Sequence, residues 1–229
     1  MPFRVRTRTT GTDPALLRDV IAFNFSVVDY MCRERLKACF ASTVDDDLLM
    51  MLQREPRIRR RLSTKFLKEA SLLDEPVLDF SPSLRQLALL DGTELSRIAR
   101  YAGGLWYAHD ICRLIARSTI AKVKTHIGDD AYRFVVKQGA LSKRSETPLG
   151  GERDLISKID GTGFACLASW LALEPKGLSA RVLLKFPPRS PLEQSLKQRA
   201  ERRDADTEAV AILRRVLRHG DSRWHRYVA

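Results

Sequence analysis

Apolar residues recur at steps of three and four through the middle of this chain, and this spacing predicts helix packed on helix. Within ELSRIARYAGGLWYAHDICRLIAR (94–117), the positions on the step are Leu95, Ile98, Ala102, Leu105, His109, Cys112 and Ala116. We therefore expect one helix with a buried seam that includes His109 and Cys112. Asp110 lies about 100° round the helix from His109, so we expect it to face solvent or a neighbouring arginine.

Two adjacent glycines interrupt this helix. Each costs on the order of 1 kcal/mol relative to alanine in a helix interior, so each should serve a purpose. The usual purposes are a kink or a close backbone crossing with another helix. We predict that the segment is a helix-packing centre, formed by Gly103, Gly104, Trp106, His109 and Cys112.

Helical spacing dominates the rest of the chain as well, with no hairpin signature, tandem repeat or βαβ rhythm. We predict an all-α fold, an irregular bundle of packed helices. Residues 1–190 would form the helical domain, with an exposed polar loop at 138–154. The prolines at 187, 188 and 191 form a stiff joint. Beyond it, residues 191–229 would form a basic C-terminal helical extension, with one long charged helix over 192–219.

The formal net charge of +12 is concentrated at the two ends of the chain. Residues 1–70 hold 14 basic and 9 acidic side chains and residues 181–229 hold 12 and 6, whereas residues 71–180 are nearly balanced. Nucleic acid, an anionic membrane surface or an acidic protein would each be attracted to such ends. The candidate docking clusters are Arg57, Arg59, Arg60 and Arg61, and then Arg214, Arg215 and Arg218.

The residues that usually carry metal or nucleophilic chemistry are scattered. The four cysteines (Cys32, Cys39, Cys112, Cys166) and four histidines (His109, His126, His219, His225) match no zinc or redox spacing. His109 and Cys112 could meet at a spacing of three, yet no oxyanion hole or glycine-bounded turn accompanies them. We predict no catalytic site, no metal and no cofactor.

Two further segments bear on function. DGTGFAC (160–166) is similar to a phosphate-binding turn, but it lacks the third glycine and a preceding buried strand, so a plain helix-entry loop is expected. The start, MPFRVRTRTTGTD, has no apolar core behind its basic residues, and no window reaches 18 uncharged apolar residues. We expect neither a secretion leader nor insertion into a membrane.

A nucleic-acid-binding role is the alternative that the basic ends keep open. A helical regulator would use its basic flanking helices to contact phosphates. No zinc finger or RNA-binding signature accompanies those helices. Acidic residues are also interleaved in the C-terminal one, at Glu201, Asp204, Asp206 and Glu208, which favours pairs within the helix.

Three segments, in order, resemble the K component of type III secretion sorting platforms, the SctK/YscK family. FNFSVVDYMCRERL (23–36) resembles its aromatic-rich N-terminal signature. LDGTELSRIARYAGGLWYAHDICRLIARSTIAKVKTHIGDDAYRFVVKQGAL (90–141) resembles its central helical block. GFACLASWLALEPKGLSARVLLKFPP (163–188) is similar to its closing Leu/Trp helix and Leu-Lys-x-Pro segment. Cys32 stands where histidine is expected and Arg33-Glu34 replace a Pro-Ser pair, which indicates a divergent member.

The resemblance implies a helical adaptor without catalysis that supports protein export by the injectisome. Such an adaptor would be cytoplasmic and peripheral to the inner membrane through the secretion apparatus. Its partners would be the cytosolic domain of the SctD-like inner-membrane ring protein and the SctQ-like pod protein. Charged ends suit oriented docking between such partners.

Overall fold

A computed structural model describes residues 13–40, 44–139, 152–202 and 207–227. Within these ranges every regular element is a helix, which confirms the all-α class. The α-helices are α1 (Pro14–Phe25), α2 (Arg33–Ala38), α3 (Asp46–Arg54), α4 (Pro56–Glu69), α5 (Gly92–Trp106), α6 (Ala108–Cys112), α7 (Arg117–Ile127), α8 (Asp129–Gly139), α9 (Glu152–Ala172), α10 (Lys176–Leu183), α11 (Pro191–Arg202) and α12 (Thr207–His219). Short 3-10 helices occur at Val27–Asp29, Ser83–Leu89 and Ser222–Tyr227.

Local sequence explains where several helices begin and end. The carboxylates of Asp13, Asp45 and Asp91 each accept a hydrogen bond of 2.7 to 3.0 Å from a backbone N–H in the first turn of α1, α3 and α5. These bonds satisfy donors that a helix start leaves free. Gly128 ends α7 with φ at +93°, a conformation that favours glycine. α8 begins at the next residue.

The main core is built around α5 and α9, which share the largest helix–helix interface. α8 and α12 pack on α5, while α11 and α12 pack on α9. Leu105 and Ile98 of α5 are fully buried here, as are Ile159 and Trp170 of α9. Each such aliphatic side chain contributes roughly 1.5–3 kcal/mol relative to an exposed one.

A second, smaller core lies under the N-terminal helices. Its buried members are Val27, Val28, Met31, Leu36, Leu49, Phe66, Leu67 and Leu72. Ala180 in α10 and Leu184, the residue after this helix, pack against it. α10 therefore joins the N-terminal helices to the main core.

The C-terminal helices belong to the main core, which corrects the predicted extension at 191–229. Leu192 of α11, Leu213 of α12 and Trp224 in the last 3-10 helix are at most 1% exposed and lie in the main core cluster. The Trp224 ring nitrogen donates to a carboxylate oxygen of Glu94, 3.0 Å away. This packing was not predicted from the sequence, because the segment is rich in charged residues and the apolar residues of α12 lie on one face only.

Three local predictions also need correction. The expected single helix over 94–117 is divided, because Tyr107 leaves the helical conformation between α5 and α6. Residues 160–166, expected as an entry loop, lie inside α9. α9 already includes residues 152–154 of the expected 138–154 loop, α8 extends to Gly139, and residues 140–151 lie outside the described ranges. The expected long helix over 192–219 corresponds to α11 and α12.

Candidate functional site

Gly103 of α5 and Gly163 of α9 lie where these two helices cross. A Cβ atom on Gly103 would overlap the carbonyl oxygen of Ile159, and one on Gly163 would overlap that of Ala99. The obstructing atoms are backbone, so no side-chain rotation could relieve the overlap. Glycine at both positions is what allows the backbones to approach this closely.

Gly104 faces a different neighbour. A Cβ atom there would lie 2.9 Å from Cγ2 of Val135 in α8 and 3.7 Å from Cδ1 of Ile127 in α7. These are ends of side chains, so a small shift could accommodate alanine, whereas leucine would displace both. The two glycines thus allow α5 to pack closely against α9 on one side and α7 and α8 on another.

The other members of the predicted packing centre are less buried than the two glycines. Trp106 and His109 are half-buried, and Cys112 is exposed. The break at Tyr107 rotates the following turn, so Ile111 is buried in place of Cys112. The prediction that Cys112 lies on the buried seam is wrong for this reason.

Residues 72–91 form a long connection between α4 and α5, which we call the strap. Side chains on and just after α10 anchor it. Arg181 of α10 is fully buried and donates to the carbonyl oxygens of Leu72 (2.7 Å) and Glu75 (3.1 Å) in the strap. It also donates to Gly177 in its own helix (3.0 Å). Burial lowers the pKa of Arg181, although the carboxylate of Glu75 favours its charged form.

Lys185 holds the other end of the strap. Its ammonium donates to the carbonyl oxygen of Ala88 (2.6 Å) and to that of Leu90. The same nitrogen lies 5.3 Å and 5.0 Å from the ring centroids of Phe23 and Tyr30, which is cation–π range. Lys185 is only 7% exposed, and this burial lowers its pKa to about 7.

Asn24 of α1 binds the middle of the strap. Its amide nitrogen donates to the carbonyl oxygen of Val77 (2.7 Å), and its amide oxygen accepts from the Val77 N–H (2.7 Å). The amide nitrogen also donates to Val20 in its own helix (2.8 Å). A fully buried asparagine thus pairs with the strap as a second strand would, which satisfies both backbone groups of Val77.

A cleft of about 440 Å³ opens beside Lys185. It is lined by Tyr30, Gly92, Thr93, Ser96, Arg100, Lys185, Phe186 and Pro187. None of these residues is acidic, and two are cationic. The cleft is where the three segments that carry the resemblance meet, because each of them supplies part of its lining.

The sequence profile of a known family, described as "YOP proteins translocation protein K (YscK)", matches residues 22–221. The chain belongs to the YscK family. This confirms the resemblance seen in the sequence, and the match spans nearly all of the helices described above. The chain is therefore a type III secretion component, in a family of structural components rather than known enzymes.

Two relatives of this YscK-family chain are nodulation protein NolU of Rhizobium fredii and nodulation protein NolU of Sinorhizobium fredii (strain NBRC 101917 / NGR234). Each is 28% identical to it over 151 residues, which cover 64% of this chain and 68% of the relative. No solved structure matches the chain. The low identity is consistent with a divergent member.

The seven predicted docking arginines of this YscK-family chain fall into two groups. Arg59 is engaged internally by Asp29 (3.1 Å), and Arg215 donates to the side chain of Gln138 (2.9 Å). The remaining five are exposed: Arg57, Arg60, Arg61, Arg214 and Arg218. Arg57, Arg60 and Arg61 line one open depression of about 420 Å³ on α4, together with Thr64.

Metal binding and membrane insertion find no support in the same ranges. Among the described residues, no group of three or more His, Cys, Asp or Glu side chains is arranged to hold a metal ion. None of the helices described is long and apolar enough to cross a membrane.

Sequence reasoning missed Asn24, Arg181 and Lys185. Each is a polar residue within an apolar run, in FNF, ARVLL and LLKFPP respectively. That context is the signal that could have predicted their burial.

Proposed function

We propose that this chain is a non-catalytic adaptor of the type III secretion injectisome. It links the cytosolic domain of the SctD-like ring protein to the SctQ-like pod protein, and so supports protein export. Its place is cytoplasmic and peripheral to the inner membrane, through the apparatus. The observation that carries this proposal is the family match over residues 22–221.

The exposed arginines on α4 supply a docking surface for this role. Arg57, Arg60 and Arg61 form no ion pair with any residue in the described ranges, and they lie on the solvent side of the helix. The opposite side is buried through Phe66 and Leu67. Unpaired guanidinium groups on a rigid helix attract a carboxylate-rich partner and orient its approach.

A second basic surface lies on α12. Arg214 and Arg218 are exposed and one turn apart, whereas Arg215 between them faces α8 through Gln138. Two separate basic surfaces suit an adaptor with two partners, since one partner could bind to each surface at the same time.

Charge reversal on α4 tests the adaptor function. The variant Arg57→Glu/Arg60→Glu/Arg61→Glu should lower co-purification with the pod protein or the ring domain at least tenfold, because it replaces attraction with repulsion. Far-ultraviolet circular dichroism should stay unchanged, since these side chains are exposed. Pull-down of purified components, followed by a secretion assay, measures both effects.

A matched control carries the same change in charge at scattered exposed positions: Arg117→Glu/Lys137→Glu/Lys176→Glu. It should bind both partners as wild type does. The adaptor function fails if wild-type protein captures neither partner. The α4 surface alone fails if wild type binds and the α4 variant binds equally well.

The unpaired arginines of α4 also favour one alternative, a helical nucleic-acid-binding regulator. In that case wild-type protein would bind duplex DNA with an affinity that falls steeply with salt, and the α4 variant would lose this affinity. Weak binding with little salt dependence would exclude the alternative.

A further inference from the structure

We propose that the cleft beside Lys185 binds an acidic side chain of a partner protein, presented on a peptide segment with apolar neighbours. The proposal rests on the adaptor function for the identity of that partner, and it names the chemistry of one partner segment. It concerns a surface separate from the basic residues of α4 and α12.

The charge of the cleft is the first argument. Arg100 on its rim is exposed and forms no hydrogen bond or ion pair with any residue in the described part of the chain. Arg97, one turn earlier, is by contrast ion-paired with Asp221 at 3.0 Å. Arg100 is therefore permanently charged, with its hydrogen-bond donors free.

Lys185 adds to this positive potential from the base of the cleft when it is protonated, which its pKa of about 7 places at and below neutral pH. Its ammonium binds backbone carbonyl oxygens rather than a carboxylate, so no full negative charge is hydrogen-bonded to it. The carboxylate of Asp91 raises the pKa of Lys185 electrostatically. One oxygen of Asp91 already accepts a hydrogen bond from the Glu94 N–H (2.8 Å). A carboxylate entering the cleft would thus approach Arg100 directly and Lys185 at longer range.

The walls of the cleft define the rest of the ligand. Tyr30, Phe186 and Pro187 supply apolar surface, and the hydroxyl groups of Thr93 and Ser96 lie on the α5 side. Pockets of about 300–1,000 Å³ are typical binding sites for compact ligands. At about 440 Å³, this cleft accommodates one acidic side chain and an aliphatic neighbour.

The basic depression on α4 fits a different ligand. All four of its lining residues come from one helix, three of them are arginines, and none is apolar. Of the two, the cleft is the one lined by aromatic and proline side chains, so it is the one that offers ring surface to an apolar neighbour of the acidic side chain.

Peptide titration of the full chain, followed by nuclear magnetic resonance, tests the proposal without either secretion partner. The probes are two synthetic peptides, acetyl-Gly-Leu-Glu-Leu-Glu-Leu-Gly-amide and its counterpart with glutamine in place of glutamate. We expect the glutamate peptide to shift the amide signals of Ser96, Arg100 and Phe186. The glutamine peptide should bind at least fivefold more weakly, because it lacks the charge-assisted bond.

The variant Arg100→Glu should reduce binding of the glutamate peptide at least tenfold, and Arg117→Glu on α7 should leave it unchanged. The proposal is overturned if both peptides bind equally, if Arg100→Glu binds as wild type does, or if the shifts appear on α4 instead of the cleft. Each of these results leaves the adaptor function standing. That function fails separately, by absence of co-purification with the secretion partners.

Discussion

At the residue scale, the most unusual feature is a pair of buried cations on and just after α10. Arg181 and Lys185 are at most 7% exposed, and both direct their donors to backbone carbonyl oxygens of the strap. Moving a charge out of water costs several kcal/mol. Hydrogen bonds from charged groups, worth about 1.5–3 kcal/mol each, and the rings of Phe23 and Tyr30 offset that cost.

Lys185 predicts an unusual dependence of stability on pH. Its pKa is lowered to about 7 in the folded chain, whereas an unfolded lysine titrates near 10.5. Between these values the unfolded state binds a proton that the folded state does not, so the free energy of unfolding rises with pH. From pH 7 to pH 9 this contribution is roughly 2 kcal/mol. Urea unfolding at pH 7, 8 and 9 measures it as the difference between wild type and Lys185→Met.

Lys176→Met is the control, because Lys176 lies at the exposed start of α10. Its unfolding free energy should follow the wild-type pH dependence. Equal pH slopes for wild type and Lys185→Met would show that Lys185 stays protonated in the folded chain, contrary to the prediction.

These residues illustrate what sequence alone leaves open. A lysine within LLKFPP or an asparagine within FNF is expected to be buried at least in part. Its partners, however, are carbonyl groups in a strap that is irregular apart from the 3-10 helix Ser83–Leu89. Because every residue carries a carbonyl group, no sequence feature marks which ones Arg181 and Lys185 bind.

At the scale of elements, the crossing of α5 and α9 organises the main core. The crossing depends on Gly103 and Gly163, which are 60 positions apart in the chain. Small residues at a crossing bring two helix backbones together, so that the side chains around them interdigitate.

Alanine substitutions distinguish Gly103, at the crossing, from Gly161, an exposed glycine of α9. Gly103→Ala should lower the free energy of unfolding by roughly 1–3 kcal/mol, because the added methyl overlaps the backbone of Ile159. Gly161→Ala should raise it by about 0.5–1 kcal/mol, since that position is open and alanine favours helix. Urea denaturation midpoints measure both. A Gly103→Ala variant as stable as wild type would contradict the close crossing.

Part of this arrangement could be predicted from the sequence. The apolar seam from Leu95 to Leu105 and the unusual Gly103-Gly104 pair indicated a packing centre. The partner helix was missed, because Gly161 and Gly163 favoured a loop on local propensity alone. Tertiary packing in α9 overrides that propensity, as the burial of residues 166–171 shows.

At the scale of the whole molecule, the C-terminal segment completes the main core. α11 and α12 pack on α9, and the last 3-10 helix places Trp224 edge-on against the ring of Tyr101, with centroids 4.9 Å apart. Arg223 and Arg97 both pair with Asp221 next to this contact and lower its pKa to about 2. The end of the chain is thus joined to α5 by apolar and charged contacts together.

Removal of residues 191–229 should therefore unfold the domain. The deletion removes Leu192, Leu213 and Trp224 and exposes the faces of α5 and α9 that cover them. Burial of each such side chain contributes roughly 1.5–3 kcal/mol or more to the free energy of unfolding. Their loss is comparable with the roughly 5–15 kcal/mol that a typical domain has in total. Circular dichroism and thermal unfolding of the 1–190 fragment measure this. A cooperative transition near that of the full chain would restore the predicted extension.

Fold class and family could both be predicted from the sequence, since helical spacing and the order of three segments sufficed. The boundary at residue 190 could not. A charged helix with one apolar face has the same sequence pattern whether that face packs on its own domain or on a partner protein. The structure shows that it packs on its own domain, because the sides of α5 and α9 that α12 covers would otherwise be exposed.

The strap is held through its backbone as well as through its buried side chains, and the backbone contacts have an evolutionary consequence. Arg181, Lys185 and Asn24 bind peptide groups, which are the same whatever side chains the strap carries. The exposed positions of the strap can therefore accumulate substitutions while it keeps its path across α10, whereas Val77, Phe80, Leu87 and Ala88 are buried in the main core. The three residues that hold the strap cannot be replaced as easily, because their own side chains make the contacts. Divergent relatives should thus differ most at the exposed positions of the strap and agree at three distant positions.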